Sequence, residues 1–133
     1  MKKKIVFIIN PISGTSKKDN IAETIREEID FEKFDIEIEF TKHKGHGTQL
    51  ANKYAENGFN YVVAVGGDGT VNEVAKELIH TNASLGIVPI GSGNGLARHL
   101  GIPMNTRKAI EFLNHSETIL MDYGLVNNQP FFC

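Results

Sequence analysis

Asp68 stands between glycines in the run Gly66-Gly67-Asp68-Gly69-Thr70. Glycines carry no side chain to cover the backbone, so their N–H groups can face an anion. A carboxylate beside a bound phosphate would be repelled by it unless a divalent cation intervenes or the carboxylate handles a proton. Magnesium binding or base catalysis is therefore the chemistry expected of Asp68. Thr70 and Glu73 have the spacing of a capping box, in which Thr70 caps a helix and Glu73 closes the box; capping and ligand contact are compatible. The run has neither the lysine of a P-loop nor the GxGxxG spacing of a dinucleotide fingerprint, and neither label applies.

A second turn of the same form, Gly91-Ser92-Gly93-Asn94-Gly95, places small hydrogen-bonding residues between glycines, with Arg98 one helical turn beyond Asn94. Its plainer reading is an Asn-capped helix with a surface arginine. A third polar turn, Asn10-Pro11-Ile12-Ser13-Gly14, has little specificity alone. The five histidines, His43, His46, His80, His99 and His115, show no ligand spacing, and no metal role is expected of them.

These turns need elements to hold them. Tyr61 to Val65 reads as a strand buried on both faces, and Val71, Val74, Ala75, Leu78 and Ile79 behind the glycines recur at helical period. Lys4 to Ile9 is a first buried strand, and Ile21, Ile25 and Ile29 mark one face of a helix. Phe34 to Thr41 alternates apolar and acidic residues, as a strand near a sheet edge does. Thr48 to Asn57 is predicted as a helix closed by Gly58, and Leu85 to Pro89 as another strand. Leu96 to Leu100 reads as a short helix, and Asn105 or Thr106 can cap a further helix through Leu113. Thr118 to Val126 and Pro130 to Phe132 are strand-like on either side of a hairpin turn at Asn127-Asn128. Alternating strand and helix predicts an α/β domain with a mostly parallel sheet and right-handed crossovers. Ligands of such sheets sit at the carboxyl ends of the strands, where all three polar turns would converge.

A chain of 133 residues suffices for one core. Its 14 basic and 16 acidic residues give a net charge of −2, so no nucleic-acid partner is expected. Lys2-Lys3-Lys4, the sole basic run, reads as solvated strand flank that could also meet an anionic membrane. One cysteine, Cys133, allows no internal disulfide or thiolate cluster, which fits a reducing cytoplasm. No stretch reaches transmembrane length.

Taken together, Asn10-Pro11-Ile12-Ser13-Gly14, Thr41 with His46 and Gly47 shortly after, Gly66-Gly67-Asp68-Gly69-Thr70-Val71-Asn72-Glu73-Val74 and Gly91-Ser92-Gly93-Asn94 resemble the diacylglycerol kinase catalytic domain. That family includes bacterial lipid kinases, sphingosine kinases and ceramide kinases. The resemblance implies a three-layer Rossmann-like α/β nucleotide-binding domain over residues 1–120, of the fold shared with NAD kinases, and the start of a truncated β-sandwich domain over residues 121–133. It implies an enzyme that uses ATP and Mg2+ to phosphorylate a lipid hydroxyl. Asn10, Pro11, Ile12, Ser13, Gly14, Thr41, Gly67, Asp68, Gly69, Thr70, Val71, Asn72, Glu73 and Ser92 would line the nucleotide, with Asn94 beside the transferred phosphate and Asp68 as the catalytic and metal-binding acid. The Gly-Ser-Gly-Asn-Gly-Leu-Ala form at residues 91–97 is closer to sphingosine kinases, which leaves the acceptor open between diacylglycerol and a sphingoid or ceramide-like lipid.

The implied partners are the lipid, a peripheral contact with the inner membrane surface from the cytoplasmic side, and a second copy of the chain. Family members supply further catalytic acids from the β-sandwich domain, and the chain ends soon after Met121-Asp122-Tyr123-Gly124-Leu125-Val126-Asn127, which resembles its entry. Weak nucleotide binding and little or no kinase activity are therefore expected of these 133 residues. The competing expectations are a kinase for a soluble substrate, of the NAD kinase type, and a nucleotide-binding module without catalysis.

Overall fold

The computed structural model describes residues 2–11, 18–90, 105–115, 124–126 and 129–131. Four strands and four helices alternate through most of it: β1 (Lys3–Ile9), α1 (Lys18–Glu28), β2 (Phe34–Phe40), α2 (His46–Glu56), β3 (Tyr61–Gly66), α3 (Asp68–Leu78), β4 (Ser84–Pro89) and α4 (Thr106–Asn114). All four strands are parallel, in the order β2-β1-β3-β4. The α/β class and the parallel sheet expected from the sequence are both present.

The three layers follow from strand periodicity. Ile5, Phe7, Ile9, Val63 and Val65 point to one face, where Ile21, Ile25 and Ile29 from α1 and its turn meet Ala109 and Ile110 of α4. Val6, Ile8, Val62, Ala64 and Ile87 point to the other, against Leu50, Ala51 and Tyr54 of α2 and Val71, Val74 and Leu78 of α3. Strands β1 and β3 are central and covered on both sides, which is why their sequences are apolar without alternation. β2 lies at the edge, and its acidic residues Asp35 and Glu37 are exposed while Phe34 is buried.

Local chemistry sets the ends of the elements. Gly58, at φ +80°, takes the left-handed position after α2; its amide donates to the carbonyl of Ala55 and that of Phe59 to the carbonyl of Tyr54. This is a Schellman ending, and its apolar contact is the edge-to-face pair of Tyr54 and Phe59, 4.7 Å between centroids. Asn105 caps α4 by accepting from the amide of Lys108 at 3.1 Å. Asn114 ties α4 to the end of α1, accepting from the amide of Asp30 and donating to the carbonyl of Glu28. Arg107 reaches Glu28 at 2.9 Å and Glu27 at 3.1 Å from the same side.

Two expectations are corrected. Helix α2 starts at His46, two residues before Thr48, because Gly45 turns the chain in the left-handed conformation at φ +86°. The capping box does not form: α3 begins at Asp68, behind Gly67 with φ −94°, and no side chain caps it. Thr70 is thus already the third helical residue and is buried, and the Glu73 carboxylate accepts from another helix.

Past α4, β5 (Gly124–Val126) and β6 (Gln129–Phe131) pair antiparallel, with Val126 opposite Gln129. This is the hairpin expected around Asn127-Asn128, two residues that themselves lie outside the described set. The expected helix at Leu96 to Leu100 also lies outside it, as does the strand-like stretch from Thr118 to Tyr123.

Candidate functional site at the carboxyl ends of the strands

The chain passes from β1 outward to β2, then returns across β1 to β3. Connections that leave β1 and β3 for opposite faces of the sheet open a crevice between their carboxyl ends, the usual ligand position in a parallel α/β sheet. Asn10, just past β1, and the turn into α3 border that crevice. The Asn10 amide N–H donates to the Val65 carbonyl at 3.1 Å, and its side-chain Nδ2 donates to Thr70 Oγ1 at 3.3 Å. Two polar residues 60 positions apart are thereby joined at the switch point. On either side, Thr41 N–H donates to the Ile9 carbonyl at 2.8 Å and Ile90 N–H to the Gly66 carbonyl at 3.0 Å, so the ends of all four strands are held level.

The glycines of the turn need their own explanation. Neither Gly67 nor Gly69 has a positive φ, and among the described residues a Cβ built on either meets nothing within 4 Å. Neither backbone strain nor crowding by the described residues therefore calls for glycine at these positions. What their small size does is leave the backbone at the α3 N-terminus uncovered by side chains of their own. The first i→i−4 bond of α3 runs from the Val71 amide to the Gly67 carbonyl at 3.1 Å, so the amides of Gly69 and Thr70 precede the helical ladder. The positive end of the helix dipole adds to them, and the Asp68 side chain is exposed in the same first turn.

The residues expected to line the nucleotide divide accordingly. Asn10, Pro11, Thr41, Gly67, Asp68, Gly69 and Thr70 all lie at this end of the sheet. Asn72 is exposed on α3. Val71 packs into the core beneath the helix. The Glu73 carboxylate is turned to the N-terminus of α2, where Oε1 accepts from the Gly47 amide at 3.2 Å. Ile12, Ser13, Gly14, Ser92 and Asn94, together with Arg98 and His99, lie outside the described residues.

A single carboxylate suits magnesium, which keeps several waters and binds through one or two carboxylates plus phosphate oxygens. Asp68, exposed between two glycines that no described residue crowds, meets that requirement. Among the described residues there is no group of three His, Cys, Asp or Glu placed to hold a metal by itself. No helix among them is long and apolar enough to cross a membrane.

Sequence reasoning assigned no role to the interactions of His46. Its Nδ1 accepts from the Lys42 amide at 2.9 Å, and its ring stacks on that of His43 at 4.7 Å. No ligand spacing marks it, and it enters the sequence reading only through the family resemblance, beside Gly47 after Thr41.

Residues 4–126 match the family model described as diacylglycerol kinase catalytic domain. The diacylglycerol kinase of Bacillus subtilis is 33% identical over 135 residues, which cover 97% of this chain and 44% of that protein. A protein of Escherichia fergusonii named "Probable lipid kinase YegS" is 35% identical over 101 residues, 73% of this chain and 34% of the relative. A crystal structure of a diacylglycerol kinase from Bacillus anthracis superposes with a TM-score of 0.85 at 27% identity, over 97% of this chain and 44% of that one. The chain thus spans less than half the length of each of these proteins.

Proposed function

This chain belongs to the diacylglycerol kinase catalytic domain family, and from that premise we propose that it is the nucleotide-binding part of an ATP- and magnesium-dependent lipid kinase. The acceptor is a lipid hydroxyl, of diacylglycerol or of a sphingoid or ceramide-like lipid, met at the inner membrane surface from the cytoplasmic side. The observation that carries the reading is the Gly67-Asp68-Gly69 turn at the β1–β3 switch point, where no described atom stands within 4 Å of a Cβ built on either glycine and the exposed Asp68 opens the first turn of α3.

Phosphoryl transfer asks a protein mainly for in-line positioning and charge neutralisation. The amides at the start of α3 hold phosphate oxygens, and the glycines let the phosphates approach the backbone without a Cβ between them. Asn10 and Thr70, bonded to each other, fix the two walls of the crevice at one separation. Asp68 would hold magnesium, whose charge would offset that of the phosphates, or else would take the proton of the attacking hydroxyl. Thr41, Ser92 and Asn94 complete the nucleotide contacts. Residues 121–133 are read as the start of a β-sandwich domain that supplies further catalytic groups, and because the chain spans less than half the length of its relatives, weak nucleotide binding and little or no phosphate transfer are proposed for these 133 residues. A second copy of the chain is a further candidate partner.

The test compares phosphorylation by the full-length gene product of diacylglycerol and sphingosine vesicles with phosphorylation of NAD, using ATP and magnesium. Lipid phosphorylation is the expected result. Turnover of NAD with inert lipid would replace the lipid reading by a soluble-substrate kinase, and ATP binding without any turnover would leave a nucleotide-binding module.

A further inference from the structure

From the contacts of the β2–α2 loop we infer that His46 is a positioning residue for the nucleotide site, a latch that holds Thr41 in place by accepting the backbone N–H of Lys42 on its imidazole Nδ1. The inference rests on the reading of Thr41 as a nucleotide contact.

Thr41 leaves the sheet at the end of β2, and its own N–H donates to the Ile9 carbonyl at 2.8 Å. The next N–H along the chain, that of Lys42, has left the sheet ladder and donates to His46 Nδ1 at 2.9 Å. Two consecutive amides therefore fix the peptide planes on both sides of Thr41, one through the sheet and one through the imidazole.

The ring is itself held. His43 stacks on it at 4.7 Å with 17° between planes, and the His43 ring nitrogen Nδ1 donates to the Lys44 carbonyl at 3.0 Å. The His46 amide donates to the His43 carbonyl at 3.1 Å, and Gly45 makes the reversal in the left-handed conformation at φ +86°. On the far side of His46, the Gly47 amide is tied to Glu73 Oε1 on α3, five residues after Asp68. The loop is thus anchored to β1 at one end and to the phosphate-turn helix at the other, with His46 closing it. An imidazole whose Nδ1 accepts carries its proton on Nε2, so the latch requires the neutral ring in that tautomer. A bland role as first residue of α2 would be met by many side chains; acceptance from Lys42 needs an acceptor two bonds from Cβ.

The experiment uses this chain with His46→Ala and with His46→Asn, whose Oδ1 can stand where Nδ1 stands. Amide hydrogen exchange reads the latch, and NMR titration with ATP and magnesium reads the site. In His46→Ala the Lys42 amide is expected to exchange about tenfold faster while amides of β1 and β3 keep their protection. ATP binding is expected to weaken about 3- to 10-fold, the size of one lost hydrogen bond, and His46→Asn is expected to restore both. Unchanged Lys42 exchange in His46→Ala overturns the latch. Faster exchange with unchanged ATP affinity, or no rescue by His46→Asn, overturns the positioning role. If the wild-type chain binds no ATP while Lys42 exchange still responds, the nucleotide reading fails and the positioning role with it, although the loop contact stands.

Discussion

The amide of Gly47 donates to Glu73 Oε1 across 3.2 Å, and Thr48 Oγ1 donates to the Glu73 carbonyl at 3.0 Å, so one residue of α3 caps the first turn of α2. Helix α2 has no side-chain cap of its own. Glycine leaves room for the contact: a Cβ at position 47 would lie 3.0 Å from Glu73 Oε1 and 3.5 Å from Glu73 Cβ, so the carboxylate would have to shift by a few tenths of an ångström. Glu73→Ala is expected to lower stability by about 1–2 kcal/mol, and Glu73→Gln, which keeps an acceptor, by less. Urea denaturation of both variants checks this. Equal losses would mean that the acceptor contributes nothing.

Gly86 in β4 faces a tighter restriction. A Cβ there would stand 2.9 Å from Val63 Cγ2 and 3.2 Å from Leu113 Cδ2, between the neighbouring strand and α4. Gly86→Ala is predicted to destabilise by about 1–3 kcal/mol through overpacking. Thermal unfolding would show it as a lower midpoint, and a midpoint at or above the wild-type value would contradict the packing described.

Tyr54 is buried, and its hydroxyl donates to the Glu39 carboxylate, which also lies 3.9 Å from Lys53 Nζ. Burial raises the Tyr54 pKa above its ordinary value of 10, and the hydrogen bond to Glu39 and the charges of Glu39 and Glu37 raise it further. The unfolded chain then loses this proton at a pH where the folded chain still holds it. The stabilisation is complete below pH ~10 and is lost as pH rises from there, at up to about 1.4 kcal/mol per pH unit. Urea midpoints measured between pH 8 and pH ~11 should fall more steeply for wild type than for Tyr54→Phe. Parallel slopes would show that this phenol does not titrate differently on folding.

Asp68 separates binding from stability. Its side chain is exposed in the first turn of α3, where a negative charge is worth about 0.3–1 kcal/mol to the helix. Asp68→Asn is expected to lose that contribution to stability, while magnesium-dependent ATP binding falls about tenfold or more. Titrating ATP with and without magnesium checks both parts. A variant whose ATP affinity still rises with magnesium as in wild type would remove Asp68 from the metal site.

Strands β1 and β3 are readable because both faces are buried, which demands unbroken apolar runs, and α3 because its buried stripe recurs at helical period. The capping box was the misleading signal. The pattern Thr70-x-x-Glu73 specifies a spacing only, whereas the helix start depends on Gly67 and on the burial of Thr70 against Asn10, 60 residues earlier. Gly58 announced the end of α2 correctly because a left-handed residue after a helix is a local requirement. Gly45, which starts the same helix, is not legible in the sequence because a glycine before a helix carries no comparable demand.

The sequence by itself determined the alternation of elements, the placement of polar turns after β1, β3 and β4, and the family to which their residues belong. These are legible because burial periodicity and turn chemistry act over a few neighbouring residues. The tertiary structure decided which of those residues meet. The order β2-β1-β3-β4 brings Asn10 to Thr70, α2 against α3 gives Glu73 to Gly47, and the closed β2–α2 loop brings Lys42 to His46. The first two contacts span 60 and 26 residues, and they exist only because two helices share one face of a sheet whose central strands are adjacent in space and not in sequence.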